Sequence, residues 1–265
     1  MFSRILVGYL DTDQGHDALE LGRILAQASG AELLVFTASD KNGEDLSELA
    51  RSESADLVVL GSIHRGSLGR LVPGATVRHL LGEAPCAVAV APPGFGHRDD
   101  GDLGWRPLGG DAEDVGMRVI GVGFDGSPAA QGALDLATEL ALQAGAALRV
   151  FAVARKYAPP PSADPSGHVP GLRSEAEVLR EQLHEAVGCL PAEVRALPVF
   201  LRGAAAFELS RASELGVDLL VLGSRPGGPM RRALHAGVSN AVLLEVSCPV
   251  LICPSRVVAA QAVGV

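Results

Sequence analysis

Short, uninterrupted apolar runs alternate along this chain with longer amphipathic stretches, the pattern of strands buried on both faces and of helices that cover them. The runs predict opening strands at about 4–7 and 118–124, each followed by a helix, at about 14–29 and 128–145. Ser29-Gly30 and Ala144-Gly145 supply the glycine stop of each helix. Second strands are expected at about 32–38 and 147–154. Beyond them the two stretches differ. The later one continues with a Pro-rich loop (about 157–171), a helix near 173–187, a strand near 196–201 and a helix near 204–215, before the run Leu219–Leu222. The earlier one has a single helix, about 44–54, before Leu57–Leu60. Both close with a Gly-rich loop, a helix (about 73–82 and 235–245) and a last strand (87–91 and 249–253).

The pattern is a duplication. ALELGRILAQASGAELLVFTA at Ala18–Ala38 aligns with ALDLATELALQAGAALRVFAV at Ala133–Val153, an offset of 115 residues that also sets Val7-Gly8-Tyr9 on Val122-Gly123-Phe124. ADLVVLGS at Ala55–Ser62 aligns with VDLLVLGS at Val217–Ser224, now at an offset of 162, and the same offset sets Cys86–Val90 on Cys248–Ile252. The change of offset is the helix, strand and loop that the first half lacks. Strands alternating with helices imply two tandem parallel-sheet α/β domains with right-handed crossovers and helices on both faces. The expected bounds are 1–92 for a truncated first domain, 93–117 for a linker rich in Gly, Asp and Pro, and 118–265 for a complete second domain. Trp105, within the linker, reads as a partly buried structural residue.

Composition narrows the function classes. A net charge of −9 argues against broad phosphate-backbone binding, so no nucleic-acid partner is expected. No uncharged apolar run has the length of a membrane span, and the first residues enter a strand without the regions of a signal peptide, so the expectation is a cytoplasmic protein. His64, His79, His97, His168 and His235 show no zinc-like spacing with the cysteines, and no metal site is expected. Cys86, Cys248 and Cys253, at the start or end of the last strands, read as small buried apolar residues. No nucleophile with a base and no paired acids beside a cleft are evident, so no catalytic activity is expected.

Open parallel sheets bind ligands beyond the carboxyl ends of strands, where the chain reverses direction across the sheet. In the second half the first strand ends Gly123-Phe124-Asp125-Gly126-Ser127-Pro128. Asp125 offers a carboxylate to a ribose or an adenine amino group, and Ser127 with Pro128 begins the helix; both acid and hydroxyl also suit a plain turn and N-cap. The loop Gly223-Ser224-Arg225-Pro226-Gly227-Gly228-Pro229-Met230-Arg231-Arg232 leads to a helix start at Gly237-Val238-Ser239. Its glycines free backbone N–H groups to close on an oxyanion, the helix start adds a positive dipole, and Arg231 offers charge to a triphosphate. The first half repeats the loop with Gly61, Ser62, Gly66 and Gly74.

These segments carry a resemblance. GFDGSP, VDLLVLGSRPGGPMRRALHAGVSNAVL and SCPVLICP are similar to a universal stress protein domain, and ADLVVLGSIHRGSLGRLVPGAT with APCAVAVAP is similar to a second. The resemblance implies an adenine-nucleotide alpha-hydrolase-like fold with strand order 3-2-1-4-5, the first domain lacking its third strand. It also implies ATP, with or without Mg²⁺, held at the switch between strands 1 and 4 by a loop of the form G-x2-G-x9-G-(S/T). On that reading Asp125 contacts the nucleoside, Ser127 belongs to the same binding site at the start of the helix, and Val153 bonds adenine through its backbone. Gly223, Ser224, Gly227, Arg231, Gly237, Val238 and Ser239 surround the phosphates, and Gly61, Ser62, Gly66 and Gly74 repeat the arrangement more weakly. Departures are plain: Pro226 and His64 stand at the second motif glycine, Ala236-Gly237 and Gly74-Ala75 lack the hydroxyl, and Leu10 stands where the second half has Asp125. The reading is therefore a stress-response regulatory or interaction protein that binds an adenine nucleotide mainly in its second half. The alternatives are a nucleotide-free scaffold docking an unknown protein partner and an enzyme of the adenylate-forming type. The apolar last strands would be risky exposed edges, and the resemblance, through that family's habit of pairing by this strand, implies that the two halves form an intramolecular pseudo-dimer, with a homodimer of the whole chain as a further option.

Overall fold

The computed structural model describes residues 1–37, 43–62, 80, 85–96, 117–155, 173–214, 216–224, 238, 242–243 and 246–254. The first half runs β1 (Arg4–Tyr9), α1 (Asp13–Ser29), β2 (Glu32–Thr37), α2 (Gly43–Ser52), β3 (Leu57–Gly61) and β4 (Ala87–Ala91). The second runs β5 (Val119–Phe124), α3 (Pro128–Ala144), β6 (Ala147–Ala154), α4 (Glu175–Gly188), β7 (Ala196–Arg202), α5 (Ala205–Ser213), β8 (Leu219–Ser224) and β9 (Val250–Pro254). The expected Pro-rich loop lies outside the described residues, as does the linker from 97 to 116. Of the helices expected at 73–82 and 235–245, only Leu80, Val238, Val242 and Leu243 are described, and all four are helical.

Both opening helices start and stop by the same local chemistry. Thr12 Oγ1 accepts from Gly15 N at 3.2 Å and Ser127 Oγ accepts from Ala130 N at 3.2 Å, each satisfying an amide that the first turn leaves without a helical partner. Gly30 and Gly145 end the helices in the left-handed region, both with φ of 65°.

The strand order is β2-β1-β3-β4-β9-β8-β5-β6-β7. Each half keeps the order expected for it, and among the described residues no strand lies beyond β2, where the first half was expected to lack one. The two parallel-sheet halves expected from the sequence are both present, and they share a single nine-stranded sheet. All pairs within a half are parallel, while β4 and β9 meet antiparallel, Val88 opposite Ile252, Ala89 opposite Leu251 and Val90 opposite Val250. Ala89 and Leu251 are repeat mates, so a pseudo-two-fold axis passes between them. The physical cause is that β4 and β9 are buried on both faces, and an apolar strand with an unpaired backbone edge is satisfied by pairing with its counterpart.

A hydrophobic core lies on each face of the sheet. One gathers Ile5, Leu21, Leu25, Val59, Leu134, Leu140 and Leu251 beneath α1 and α3, which touch each other. The other gathers Leu6, Leu46, Val58, Leu80, Phe151, Leu209, Val242 and Ile252. Met1 adds a cross-half ion pair, its ammonium 2.8 Å from Glu139 Oε2 on α3.

Two acids of the repeat fasten the opening strands. Asp56 Oδ2 accepts from Ser3 N at 2.7 Å and Arg4 N at 3.0 Å, and its mate Asp218 Oδ2 accepts from Arg118 N at 2.7 Å and Val119 N at 2.8 Å. Burial raises the Asp218 carboxyl above its ordinary range, against the opposing pull of those two N–H groups. A third acid has no mate. Asp17, 1% exposed on α1, accepts from Gly94 N at 3.0 Å and Gly96 N at 2.7 Å, so the start of the expected linker is bound to the first half.

Asp218→Ala leaves two amides at the head of β5 without their acceptor, and urea unfolding is expected to show a loss of about 1–3 kcal/mol, with Asp56→Ala similar. The cysteines give a second test. Burial, with the Asp56 carboxylate adding to it, pushes the Cys86 thiol up to about 12, and burial alone takes Cys253 to about 12. Cys248 is buried and Cys189 exposed, and none of the four is in a disulfide. Titration with a chromogenic disulfide should therefore consume the Cys189 thiol promptly and the other three only on unfolding.

Candidate functional site

Strand β5 is flanked by β6 on one side and β8 on the other; the chain leaves β5 toward β6 and leaves β8 toward β9, so the two connections run in opposite directions from neighbouring carboxyl ends. The β5–β6 ladder ends at Phe124 opposite Ala152, and the β5–β8 ladder ends at Gly123 opposite Leu222. Past those pairs lie Asp125, Ser127, Val153, Gly223 and Ser224, so these five members of the second-half set share one edge of the sheet.

Their local geometry follows from the turn. Asp125 Oδ1 accepts from Ser127 N at 3.0 Å, which fixes the chain between β5 and α3. Gly126 has φ of 75°, a conformation that a side chain disfavours, and a Cβ there would also collide with Gln182 Oε1 of α4. Ser127 Oγ is an acceptor at the cap of α3 and keeps its own O–H to donate. Asp125 is exposed, Ser127, Val153 and Ser224 are half-buried, and Val153 faces Leu201 of β7. The edge therefore presents a carboxylate, a hydroxyl donor and the positive end of a seventeen-residue helix.

Gly223 has a packing duty as well. A Cβ at 223 would overlap the Ala129 carbonyl group in the first turn of α3, and a Cβ at 61 would overlap the Gln14 carbonyl group in the first turn of α1. The same glycine in each half lets the helix start settle on the strand end. Ser62 N donates to Ala91 O at 2.9 Å, and its buried Oγ has no hydrogen-bond partner among the described residues. Gly227, Arg231, Gly237, Ser239, Gly66 and Gly74 lie outside the described residues, and Val238 is helical and exposed.

The first-half edge is built differently. Leu10 replaces the acid and is exposed, while Thr12 N donates to Leu10 O at 2.8 Å. A Cβ at Gly15 would overlap that Leu10 carbonyl, so the turn is drawn tightly onto α1. Asp11 accepts from the Tyr9 hydroxyl at 3.4 Å, and the same hydroxyl lies 3.3 Å from His16 Nε2.

A family model for the universal stress protein family matches residues 40–92 and 116–254, most of the chain. The chain belongs to the universal stress protein family. Among solved structures it is similar to a functionally unknown protein from Pseudomonas aeruginosa PAO1, at 16% identity and a TM-score of 0.63, covering 97% of this chain and 95% of that one. It is also similar to a universal stress protein from Archaeoglobus fulgidus DSM 4304, at 14% identity and a TM-score of 0.56, covering 95% of this chain and 86% of that one. At these identities the likeness is one of fold. The family match begins at residue 40, yet β1, α1 and β2 before it pair and pack as β5, α3 and β6 do, so the universal stress protein architecture extends to the start of the described chain.

Sequence reasoning missed Gln182, whose helix has no first-half counterpart and whose amide borders the Asp125 turn. The repeat comparison held the signal, since that helix belongs to the segment that only one half carries. Among the described residues no group of His, Cys, Asp and Glu forms a metal site, and no helix is long and apolar enough to cross a membrane.

Because the group that a Cβ would strike is backbone, Gly223→Ala and Gly61→Ala are each expected to cost roughly 1–3 kcal/mol. Gly188→Ala, where a Cβ meets open space, should be neutral or slightly stabilising. Urea midpoints of the three variants check the contrast.

Proposed function

We propose that this universal stress protein binds ATP or a related adenine nucleotide at the carboxyl edge between β5 and β8, and serves as a non-catalytic, stress-responsive regulatory or interaction protein. The observation that carries the reading is the meeting of Asp125, the Ser127 cap of α3 and Gly223-Ser224 at the point where the chain departs to both sides of the sheet. The carboxylate suits a ribose or an exocyclic amine, and the helix start suits phosphate. Asp125 and Ser127 are hydrogen-bonded into a turn and a cap, which gives them binding and shaping duties without assembling a nucleophile and its base. Nucleotide then acts by holding the Gly-rich loop that follows β8, altering the surface offered to a protein partner.

The first half supports the complementary reading of a scaffold. Leu10 removes the carboxylate, and the Leu10 carbonyl packed on Gly15 draws in the turn. In this division of labour one half binds and the other braces it through the shared sheet.

Calorimetric titration of ATP with Mg²⁺ into nucleotide-stripped protein is expected to give one saturable site per chain. Asp125→Ala should weaken it about tenfold or more, equivalent to about 1.4 kcal/mol, while Leu10→Ala leaves it unchanged. No heat and no thermal shift at roughly millimolar ATP would retire the nucleotide reading in favour of the scaffold.

A further inference from the structure

Helix α4 belongs to the segment that only the second half carries; in the first half only residues 38–42 separate β2 from α2, too few for such a helix. β6 and β7 are parallel, so the connection between them crosses from the carboxyl edge of the sheet to the amino edge. α4 within it therefore starts near the carboxyl edge and runs back against the strands. It packs on β6 and β7, and of its residues only Leu183 is buried. Gln182, the residue before Leu183, is exposed, and a Cβ at Gly126 would overlap its Oε1. That contact sets the height of the helix against the Asp125 turn. The residues of α4 from Glu175 to Glu181 precede Gln182, so at about 1.5 Å of rise each they carry the helix roughly 10 Å past the turn.

The side of α4 that meets the turn carries a defined chemistry. Residues three and four apart share a helix face, so Glu175, Val178 and Gln182 form one stripe. Val178 is 37% exposed, an apolar side chain left in solvent one turn beyond Gln182. Among the described residues nothing hydrogen-bonds the Gln182 carboxamide, so its N–H donors and its carbonyl are free for a ligand. Asp125, next to Gly126, and Val153, near the end of the strand on which α4 packs, border the same space. Apolar surface beside a paired donor and acceptor suits an adenine ring. Its N6 amine and N7 present a donor next to an acceptor, the pattern that a glutamine amide matches with two hydrogen bonds. Guanine presents two acceptors there, O6 and N7, and the same amide loses one of the two bonds.

We propose that α4 is the base-reading wall of the nucleotide site, with Val178 against one face of adenine and the Gln182 carboxamide bonded to its N6–N7 edge. The proposal rests on the adenine-nucleotide reading of the β5–β8 edge and adds to it the groups that select the base. The opposite edge of the ring is left to the Val153 backbone, the Asp125 carboxylate to the ribose hydroxyls and the start of α3 to phosphate. The first half then differs by more than Leu10: without a counterpart of α4 it has neither the carboxylate nor the wall.

The test compares ATP with GTP, each with Mg²⁺, by calorimetric titration into the full chain. The wild-type chain should favour ATP by about tenfold or more, the discrimination of one bidentate amide. Gln182→Ala should bring the two affinities within about twofold of each other, chiefly by weakening ATP. Val178→Asp should weaken both nucleotides about tenfold, through the lost apolar contact. His184→Ala, two residues further along α4 and so on another side of it, should change neither. All three side chains are exposed, so the circular dichroism of each variant should match the wild type. Equal weakening of ATP and GTP by Gln182→Ala makes the residue a brace of the turn and overturns the base-reading role. A wild-type chain that binds both nucleotides alike overturns it, as does a Gln182→Ala chain that keeps the full preference for ATP or a Val178→Asp chain of unchanged affinity; the nucleotide site itself survives each of these results. A wild-type chain that binds neither nucleotide removes the adenine-nucleotide reading and this proposal together.

Discussion

The antiparallel seam between β4 and β9 is the contact on which the rest of the structure hangs. Each strand is apolar on both faces, and each would end its half as an open row of amides and carbonyls beside a hydrophobic surface. Pairing satisfies both edges at once and turns two incomplete sheets into one. It also brings α1 and α3 into contact on one face, so that the core beneath them is continuous across the seam. Among the described residues the first half has fewer strands and helices than its mate.

The divergence of the repeat then has a clear logic. At some equivalent positions the halves agree: Asp56 and Asp218 fasten β1 and β5, Gly61 and Gly223 admit the helix starts, and Thr12 and Ser127 cap them. At others they part. The second half has α4, β7 and the Asp125 turn bordered by Gln182, while the first has Leu10, a turn drawn onto Gly15 and, among the described residues, no strand beyond β2. Structural duty is shared by both copies, whereas the candidate ligand chemistry concentrates in one.

Much of this was legible in the residues. Apolar runs gave the strands within a residue or two, glycines after Ser29 and Ala144 marked the helix stops, and the shift of offset located the missing strand. The seam was expected from the family resemblance together with the apolar last strands, but its register, with an axis at Ala89, was not, because register between distant strands is set by packing that no local pattern encodes. Asp17 was overlooked for a related reason. An acid on the inward face of an amphipathic helix looks like an exception to the pattern until its partners, the amides of Gly94 and Gly96, are found 77 and 79 residues away. Gly61 and Gly223 were read for phosphate alone, although a carbonyl of the neighbouring helix already requires both to lack a side chain. The Gly-rich loops beyond Ser62 and Ser224 lie outside the described residues, so that part of the candidate site rests on its sequence.

The residues at the seam also decide which strand may marry which. On the face shared with α1 and α3, β4 presents Ala87, Ala89 and Ala91, while β9 presents Leu251 and Cys253. Small thus meets large across the axis, with Ala89 against Leu251. Were β4 to join its twin from another molecule, alanine would oppose alanine and leave a void; were β9 to do so, two leucines would crowd the same space. A single-domain ancestor pairing with itself has no means of telling one copy from another. The two strands of this chain differ in shape where they meet, and that difference favours the partner on the same chain.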